Sequence, residues 1–206
     1  MAYELRSARF LARDALSLAL QAGDHVIDAT MGNGHDTLFL AEKVGSGGHV
    51  YAFDIQEEAV EATRRLLEEH GFSERVTLFR RSHAEMAEAV PGPVAAVVFN
   101  LGWLPGGNHV VTTRCESTEK AVLSALEMLQ PGGIITLCVY PGHGEGNRER
   151  VMLTELLSGL SNRCFNVLHQ SFPNAGPGAP ECFIIQKSRQ SGTRGKEIPL
   201  ASVPEN

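Results

Sequence analysis

The sequence predicts an α/β fold built on a doubly wound, mostly parallel seven-stranded sheet with helices on both faces. Strand-like apolar runs alternate with amphipathic segments of helical periodicity along most of the chain. The run 94–100 is apolar at nearly every position, which is typical of a strand buried on both faces of a central parallel sheet. With 206 residues, of which 43% are hydrophobic, the chain suffices for one domain, which we expect over residues 1–187.

Each element follows from its periodicity and from the residues that end it. The helical segments have apolar residues three and four positions apart, and most end at glycine or proline, such as Gly23, Gly71 and Pro91. The predicted helices are 3–22, 36–44, 57–70, 84–89, 117–129 and 148–160. The predicted strands are 26–29, 49–54, 76–80, 94–100, 134–140, 165–169 and 182–186. Residues 188–206 are polar and show no periodicity, so we expect a disordered tail.

Composition and charge exclude several classes of protein. The formal net charge of −6 argues against a protein that coats nucleic acid non-specifically, although it leaves room for a basic face around one site. No apolar run has the length of a membrane span and no secretory signal is visible, so we expect no membrane association and a cytoplasmic location. The four cysteines form no Cys-x-x-Cys pair and the eight histidines show no ligand spacing, so we expect free thiols and no metal.

A glycine turn separates the first predicted strand from the helix that follows it. Gly32 and Gly34 let the backbone bend sharply and approach a ligand without a Cβ in the way. A dinucleotide site has a third glycine where this chain has Thr37, and the Gly-Lys-Ser/Thr of a phosphate-binding loop is absent from the sequence. Asp28, just before the turn, would repel a pyrophosphate but suits the ammonium group of an amino-acid moiety.

A second acid completes this pattern. Asp54 ends the second predicted strand, twenty residues after Gly34, where an ionised carboxylate can accept hydrogen bonds from two ribose hydroxyls. A ligand with a ribose and an ammonium group but no phosphate is S-adenosylmethionine (SAM). We therefore expect SAM to bind across the carboxyl ends of the first two strands.

Further candidates follow the later strands. Ser82 and His83 are placed to border the adenine. Asn100 ends the apolar run 94–100, and its carbonyl could accept a hydrogen bond from a target amine, or the residue could cap a turn. Trp103 could stack on a base or pack in the core, and His143 could be a general base, a phosphate contact or a loop residue without a role.

Three motifs together resemble one family. The segments are 28–37 (DATMGNGHDT), 100–107 (NLGWLPGG) and 140–143 (YPGH), and over roughly residues 1–187 the chain resembles the bacterial and plastid class I SAM-dependent methyltransferases long labelled "putative rRNA methylase". That family includes a methyltransferase for 5-aminomethyl-2-thiouridine in tRNA. The resemblance implies a Rossmann-like methyltransferase sheet. The chain departs from the family pattern at Trp103, at Asn108 and in the segment 172–180.

The resemblance also implies roles for individual residues. The methionine end of SAM would meet Asp28, Met31, Gly32, Asn33, Gly34, Asp36 and Thr37. The ribose would meet Asp54 and Gln56, the adenine Ser82 and His83, and the transferring methyl group Asn100, Leu101 and Gly102. Since an alkyl amine must lose a proton before it attacks, Asn100, Tyr140 or His143 would be the catalytic residues that accept hydrogen bonds from it.

The implied reaction is N-methylation of the aminomethyl group of 5-aminomethyl-2-thiouridine at the wobble position, with the tRNA anticodon stem-loop as partner. An enzyme acting on ribosomal RNA or on a small-molecule amine is the first alternative. A non-catalytic module that binds SAM is the second, because a fold does not fix a function. The sequence does not determine the oligomeric state, and a homodimer stays open.

Overall fold

A seven-stranded sheet runs through the centre of the protein. The computed structural model describes residues 7–107 and 110–189. The strands are β1 (His25–Asp28), β2 (His49–Asp54), β3 (Val76–Arg80), β4 (Val94–Asn100), β5 (Leu129–Val139), β6 (Phe165–Gln170) and β7 (Glu181–Lys187). The helices are α1 (Ala8–Ala19), α2 (His35–Val44), α3 (Glu57–His70), α4 (Met86–Ala89), α5 (Cys115–Met128) and α6 (Gly144–Ser158). Two 3-10 turns, Ser73–Arg75 and His83–Glu85, precede β3 and α4.

The order of the strands creates one crevice in the sheet. That order is β3-β2-β1-β4-β5-β7-β6, with β7 antiparallel to both β5 and β6 and the other pairs parallel. The chain winds outward from β1 to β3 and then crosses back to β4, so the order reverses between β1 and β4. Ligands bind at such a reversal, beyond the carboxyl ends of the strands. The predicted mostly parallel, seven-stranded sheet is confirmed.

Helices cover both faces of this sheet, and strand β4 shows how. Val97 and Phe99 pack into the core cluster that contains residues of α5 and α6, whereas Ala96 and Val98 pack into the cluster that contains residues of α1 and α2. All four side chains are almost completely buried. Because burying one large apolar side chain contributes about 1.5–3 kcal/mol, this strand anchors both layers.

Most predicted boundaries lie within two residues of the observed ones, and the larger differences have local causes. Helix α6 begins at Gly144 rather than at 148, because His143 caps it through a hydrogen bond from Gly146 N to Nδ1 (3.2 Å). Strand β5 begins at Leu129, five residues before the predicted start, because Leu129 already pairs with Val94 of β4. The register then shifts, and regular pairing continues from Ile134 opposite Ala96. The predicted helix 84–89 is a 3-10 turn followed by the short α4.

The ends of the predicted domain fall partly outside the described residues. Residues 3–6 of the first predicted helix and 190–206 of the predicted tail lie there. Ser188, which we assigned to the tail, instead donates a backbone hydrogen bond to the carbonyl of Cys164 (2.7 Å). Within the described ranges, no helix is both long and apolar enough to cross a bilayer. All four cysteines are free thiols.

Candidate functional site

One cavity opens at the carboxyl ends of the parallel strands, beside the crevice between β1 and β4. Its volume is about 760 Å³, within the range of small-molecule sites. The segments that follow β1, β2, β3, β4 and β5 all contribute to its wall, and helix α1 adds Arg9. Of the predicted site residues, those that line it are Gly32, Asn33, Asp36, Asp54, Gln56, Ser82, His83, Asn100, Leu101, Gly102, Tyr140 and His143.

The glycine turn is held against α3 and β2. Gly34 has a φ of +82°, and a Cβ on it would lie 2.8 Å from Thr63 Oγ1 and 3.0 Å from Thr63 Cα, so a side chain does not fit. The Thr63 hydroxyl donates to the carbonyl of Gly32 (3.0 Å), and Gly32 N donates to Asp54 Oδ2 (3.1 Å). The turn and the acid after β2 therefore form one rigid unit.

Asp54 is placed as the sequence predicts. Its Oδ1 accepts a hydrogen bond from Gln56 N (2.9 Å) and its Oδ2 accepts the one from Gly32. Burial raises the pKa of Asp54 above its usual value, and these backbone hydrogen bonds offset only part of that increase. Since each carboxylate oxygen can accept about two hydrogen bonds, both oxygens retain capacity for hydroxyl groups in the cavity.

Asp28 was expected to meet an ammonium group, and the structure places its side chain outside the cavity lining. Its side chain is fully buried and accepts hydrogen bonds from Thr37 Oγ1 (2.7 Å) and Thr30 N (3.2 Å). Burial, and next the charge of Asp36, raise the pKa of Asp28 to about 7. The cavity lining likewise does not include Met31, Gly34 or Thr37, which belong to the turn and the start of α2.

Asp36 lines the cavity although its side chain is largely buried, and two arginines of α1 bind it. Arg9 donates from Nε to Oδ2 and from Nη2 to Oδ1, both at 3.1 Å, and Arg13 Nε lies 2.9 Å from Oδ1. Sequence reasoning did not assign these arginines to the site. Their spacing of four residues, which puts both on one helix face, was the available signal.

Asn100 presents a buried acceptor at the cavity wall. Its backbone N donates to Thr30 Oγ1 (2.7 Å), and its side-chain Nδ2 donates to Asp36 Oδ2 (2.9 Å). A carboxylate only accepts hydrogen bonds, so the amide nitrogen must face Asp36, and this fixes the opposite direction for the carbonyl oxygen. Oδ1 is buried and has no hydrogen-bond partner among the described residues.

His83 presents a second buried acceptor. Its Nδ1 lies 3.2 Å from the carbonyl of Ala29, which can only accept, so Nδ1 carries the proton and Nε2 is a bare nitrogen. Nε2 has no partner in the described part of the chain, and the ring packs edge-on against Phe99. Burial lowers the pKa of His83, which keeps the ring neutral. Its neighbour Ser82 accepts from Ala84 N (3.2 Å) and caps the turn.

His143 and Tyr140 do not suit the role of general base. His143 Nδ1 accepts the hydrogen bond from Gly146, so a neutral ring carries its proton on Nε2 and offers a donor there. The ring lies against Trp103, with centroids 4.4 Å apart. Burial is the main cause that raises the pKa of Tyr140 to about 12, so it is a phenol at neutral pH. Both residues can still orient a substrate.

The segment after β4 folds back on itself to form one wall of the cavity. Gly102 N donates to Thr113 Oγ1 (2.8 Å), Thr113 N donates to Gly102 O (3.0 Å), and Trp103 pairs with Thr112. The Thr113 hydroxyl in turn donates to Glu149 on α6 (2.9 Å). Neither Thr113 nor Glu149 was a sequence candidate, because nothing in the local pattern pairs positions 36 residues apart.

The fold and this cavity together define a class of protein. The strand order, the glycine turn and an acid directly after β2, without a phosphate cradle, are features of a Rossmann-like SAM-dependent methyltransferase. The cavity residues fit SAM, since Asp54 retains acceptor capacity and the turn leaves no Cβ at Gly32. In the described ranges, no cluster of three or more histidines, cysteines or acids could hold a metal ion.

The family follows from comparison with known proteins. The family model described as "Putative rRNA methylase" matches residues 50–186, and the chain belongs to this family. The chloroplastic tRNA (mnm(5)s(2)U34)-methyltransferase of Arabidopsis thaliana is 46% identical over 151 residues, which are 68% of this chain and 55% of that protein. The chain thus spans about half the length of this relative. A ribosomal RNA small subunit methyltransferase H from Desulfotalea psychrophila is 42% identical over 69 residues, 34% of this chain and 23% of that protein.

Solved structures agree in fold, and one of them contains S-adenosylhomocysteine (SAH). A protein titled as a putative rRNA-methylase from Clostridium thermocellum superposes with a TM-score of 0.88 at 38% identity, covering 90% of this chain and 100% of that one. A protein titled as a putative methyltransferase from Streptococcus mutans, solved in complex with SAH, gives a TM-score of 0.81 at 32% identity, covering 89% and 99%. SAM is the methyl donor of this chain.

Proposed function

We propose that this methyltransferase N-methylates the aminomethyl group of 5-aminomethyl-2-thiouridine at the wobble position of tRNA, giving 5-methylaminomethyl-2-thiouridine. The observation that carries the proposal is the buried, unpartnered Oδ1 of Asn100, held at the cavity wall by Asp36. A fixed acceptor of this kind fits an amine nucleophile, which has N–H groups to donate. The Arabidopsis relative, whose name specifies this tRNA nucleotide, supports the same substrate.

The cofactor would lie along the floor of the cavity. Asp54 and Gln56 would hold the ribose, and Ser82 with His83 would border the adenine, where the bare Nε2 of His83 can accept a hydrogen bond. The methionine end would meet Asn33, with Asp36 supplying negative charge for the ammonium group. SAM supplies a methyl group already activated on a sulfonium, so the protein mainly has to align the nucleophile.

The acceptor amine must enter as the neutral form. A free alkyl amine is mostly protonated at neutral pH, and burial in a cavity lowers its pKa. Asn100 Oδ1 would accept one N–H and turn the lone pair of the nitrogen toward the methyl group. Because His143 and Tyr140 are not arranged as bases, the amine would lose its proton to solvent before the site closes around it.

The rim of the cavity suits an RNA loop. Arg81 and Arg114 are exposed lining residues, and neither forms a salt bridge to any described residue, so both are placed to contact phosphates. Trp103 lines the same cavity, and its ring could provide a surface on which a base stacks. The anticodon stem-loop, whose wobble base can be splayed out, is the proposed partner. A cytoplasmic location and a homodimer stay predictions.

A methyl-transfer assay tests the proposal. The protein and labelled SAM are incubated with tRNA from a strain that lacks this activity, and the nucleosides are identified by mass after digestion. We expect 5-methylaminomethyl-2-thiouridine to appear. Asn100→Ala should lose most turnover while its SAM dissociation constant changes little. The matched control is Asn166→Ala, an exposed asparagine on the edge strand β6.

Two results would contradict the proposal. If SAM binds and no tRNA nucleoside gains a methyl group, the tRNA substrate is wrong, and ribosomal RNA and small-molecule amines become the acceptors to assay. If the tRNA is methylated equally well by Asn100→Ala, the substrate stands but the role given to Asn100 falls.

A further inference from the structure

Glu149 is a buried acid in α6 that takes no direct part in the chemistry described above. Its side chain is completely buried. Oε1 accepts a hydrogen bond from Thr118 Oγ1 on α5 (2.6 Å), and Oε2 accepts one from Thr113 Oγ1 in the cavity wall (2.9 Å). Burying a carboxylate is costly unless it is hydrogen-bonded, so these two hydroxyl groups offset the cost of burying Glu149.

The carboxylate fixes the direction of a short chain of hydrogen bonds. Glu149 can only accept, so the single hydroxyl proton of Thr113 points at it. Thr113 Oγ1 must then act as an acceptor on its other side, where Gly102 N donates to it at 2.8 Å. The backbone N–H of Thr113 donates to Gly102 O (3.0 Å), so both polar groups of Gly102 are held by one residue.

Gly102 lies where small displacements matter. It follows Asn100 by two residues, lines the cavity, and has a φ of +131°, which disfavours any other residue. Its partner segment also carries Thr112, which pairs with Trp103 on the substrate side. The chain of hydrogen bonds from Glu149 therefore ends at the wall that faces the acceptor.

We propose that Glu149 is a positioning residue that sets the substrate-side wall of the site by acting through Thr113 on Gly102. It does not touch the substrate. The identity of the acceptor in the test rests on the proposed function, whereas the link between Glu149 and Gly102 does not.

Glu149→Gln is the test variant, because it keeps the size of the side chain but adds a donor. The amide can donate to Thr113, which frees the hydroxyl proton and leaves Gly102 N without a dependable acceptor. We expect hydrogen exchange of the Gly102 amide to become at least about tenfold faster. We expect kcat with the tRNA acceptor to fall about 10- to 100-fold, as for a small misplacement near the reacting atoms. The SAM dissociation constant should change less than about threefold.

Thr118→Val is the matched control. It removes the other hydrogen bond to the same carboxylate and should lower the melting temperature comparably, while the bond between Thr113 and Gly102 remains. Its Gly102 exchange and its kcat should stay close to wild type. In a double-mutant cycle, Glu149→Gln should have little further effect on kcat once Thr113→Val is present, because the relay is already broken.

Each outcome decides the proposal. Unchanged hydrogen exchange at Gly102 in Glu149→Gln overturns the proposal. So does a decrease in kcat on adding Glu149→Gln to Thr113→Val that is as large as the decrease in the wild type. Equal losses of kcat in Glu149→Gln and Thr118→Val would mean that Glu149 only stabilises the fold. If the wild type methylates no tRNA, the proposed function fails, while Gly102 exchange still tests whether Glu149 acts through Thr113.

Discussion

Replacing Asp36 with asparagine should separate the orientation of Asn100 from the binding of the cofactor. The wild-type carboxylate accepts hydrogen bonds from Arg9 and Asn100 and forms an ion pair with Arg13, and because it cannot donate, it holds the amide of Asn100 in one orientation. An asparagine at position 36 can present either its oxygen or its nitrogen. The Asn100 side chain then loses the partner that fixes the direction of its carbonyl.

The structure gives the size of the effect. Both arginine side chains are about one third exposed, at 38% and 30%, so water compensates for much of the lost ion pairing. The hydrogen bond from Asn100 to a charged, buried acceptor is worth about 1.5–3 kcal/mol. Since about 1.4 kcal/mol corresponds to a factor of ten in rate, kcat should fall about 10- to 100-fold. A stability loss of about 1–3 kcal/mol would lower the melting temperature by about 2–12 °C.

The assay is methyl transfer to tRNA at saturating SAM, so that a weakened cofactor site does not contribute to the measured rate. Asp14→Asn, at an exposed acid of helix α1, makes the same change in charge and should behave as wild type. Wild-type turnover in Asp36→Asn would refute the idea that Asp36 orients Asn100. An equal loss in Asp14→Asn would point to net charge instead.

Three further predictions follow from individual residues. Asp54→Ala should weaken SAM binding at least about tenfold, since both ribose hydroxyls lose an acceptor, and an unchanged dissociation constant from calorimetry would exclude that role. The pKa of Asp28 is about 7 in the folded protein and about 3.9 in the unfolded chain. Because the folded state keeps this proton up to a higher pH, the free energy of unfolding falls as the pH rises between these values, by up to about 4 kcal/mol. Denaturant unfolding should therefore show that the free energy of unfolding decreases less between pH 5 and pH 8 in Asp28→Asn than in the wild type. Equal decreases in the two proteins would contradict this. Arg81→Gln and Arg114→Gln should each make the salt dependence of tRNA binding shallower by about 0.7 in log–log slope, and an unchanged slope would remove that arginine from the interface.

The sequence predicted the parts of the site that depend on strand ends. Asp54 and Asn100 each end an apolar run, and parallel strands bring their carboxyl ends to one edge, so their place in the cavity followed from local pattern. Local pattern did not show the burial of Asp28, since an acid at a strand end can face the ligand or the packed interior. Only its contacts with Thr37 and Thr30 show which.

The parts that local pattern could not supply are the partners held by tertiary packing. Arg9 meets Asp36 across 27 residues, and Thr113 meets Glu149 across 36. Periodicity places such residues on a helix face or in a loop, but it does not say which distant side chain they meet. The role of His143 was likewise open until its capping contact with Gly146 fixed which ring nitrogen is free to donate.

The docking of α1 has a consequence for how the protein folds. This helix carries Arg9, yet Ala8 and Ala12 pack against Cys138 of β5 and Cys182 of β7, which lie more than 120 residues further along the chain. Contacts over such separations form late, because closing long loops costs entropy before the contacts repay it. Asn100 is hydrogen-bonded to Asp36, which Arg9 binds, so we expect this arrangement to be complete only when the sheet is formed out to β7. We therefore expect the glycine turn to form in partly folded chains before the contacts of α1 with Asp36 are made.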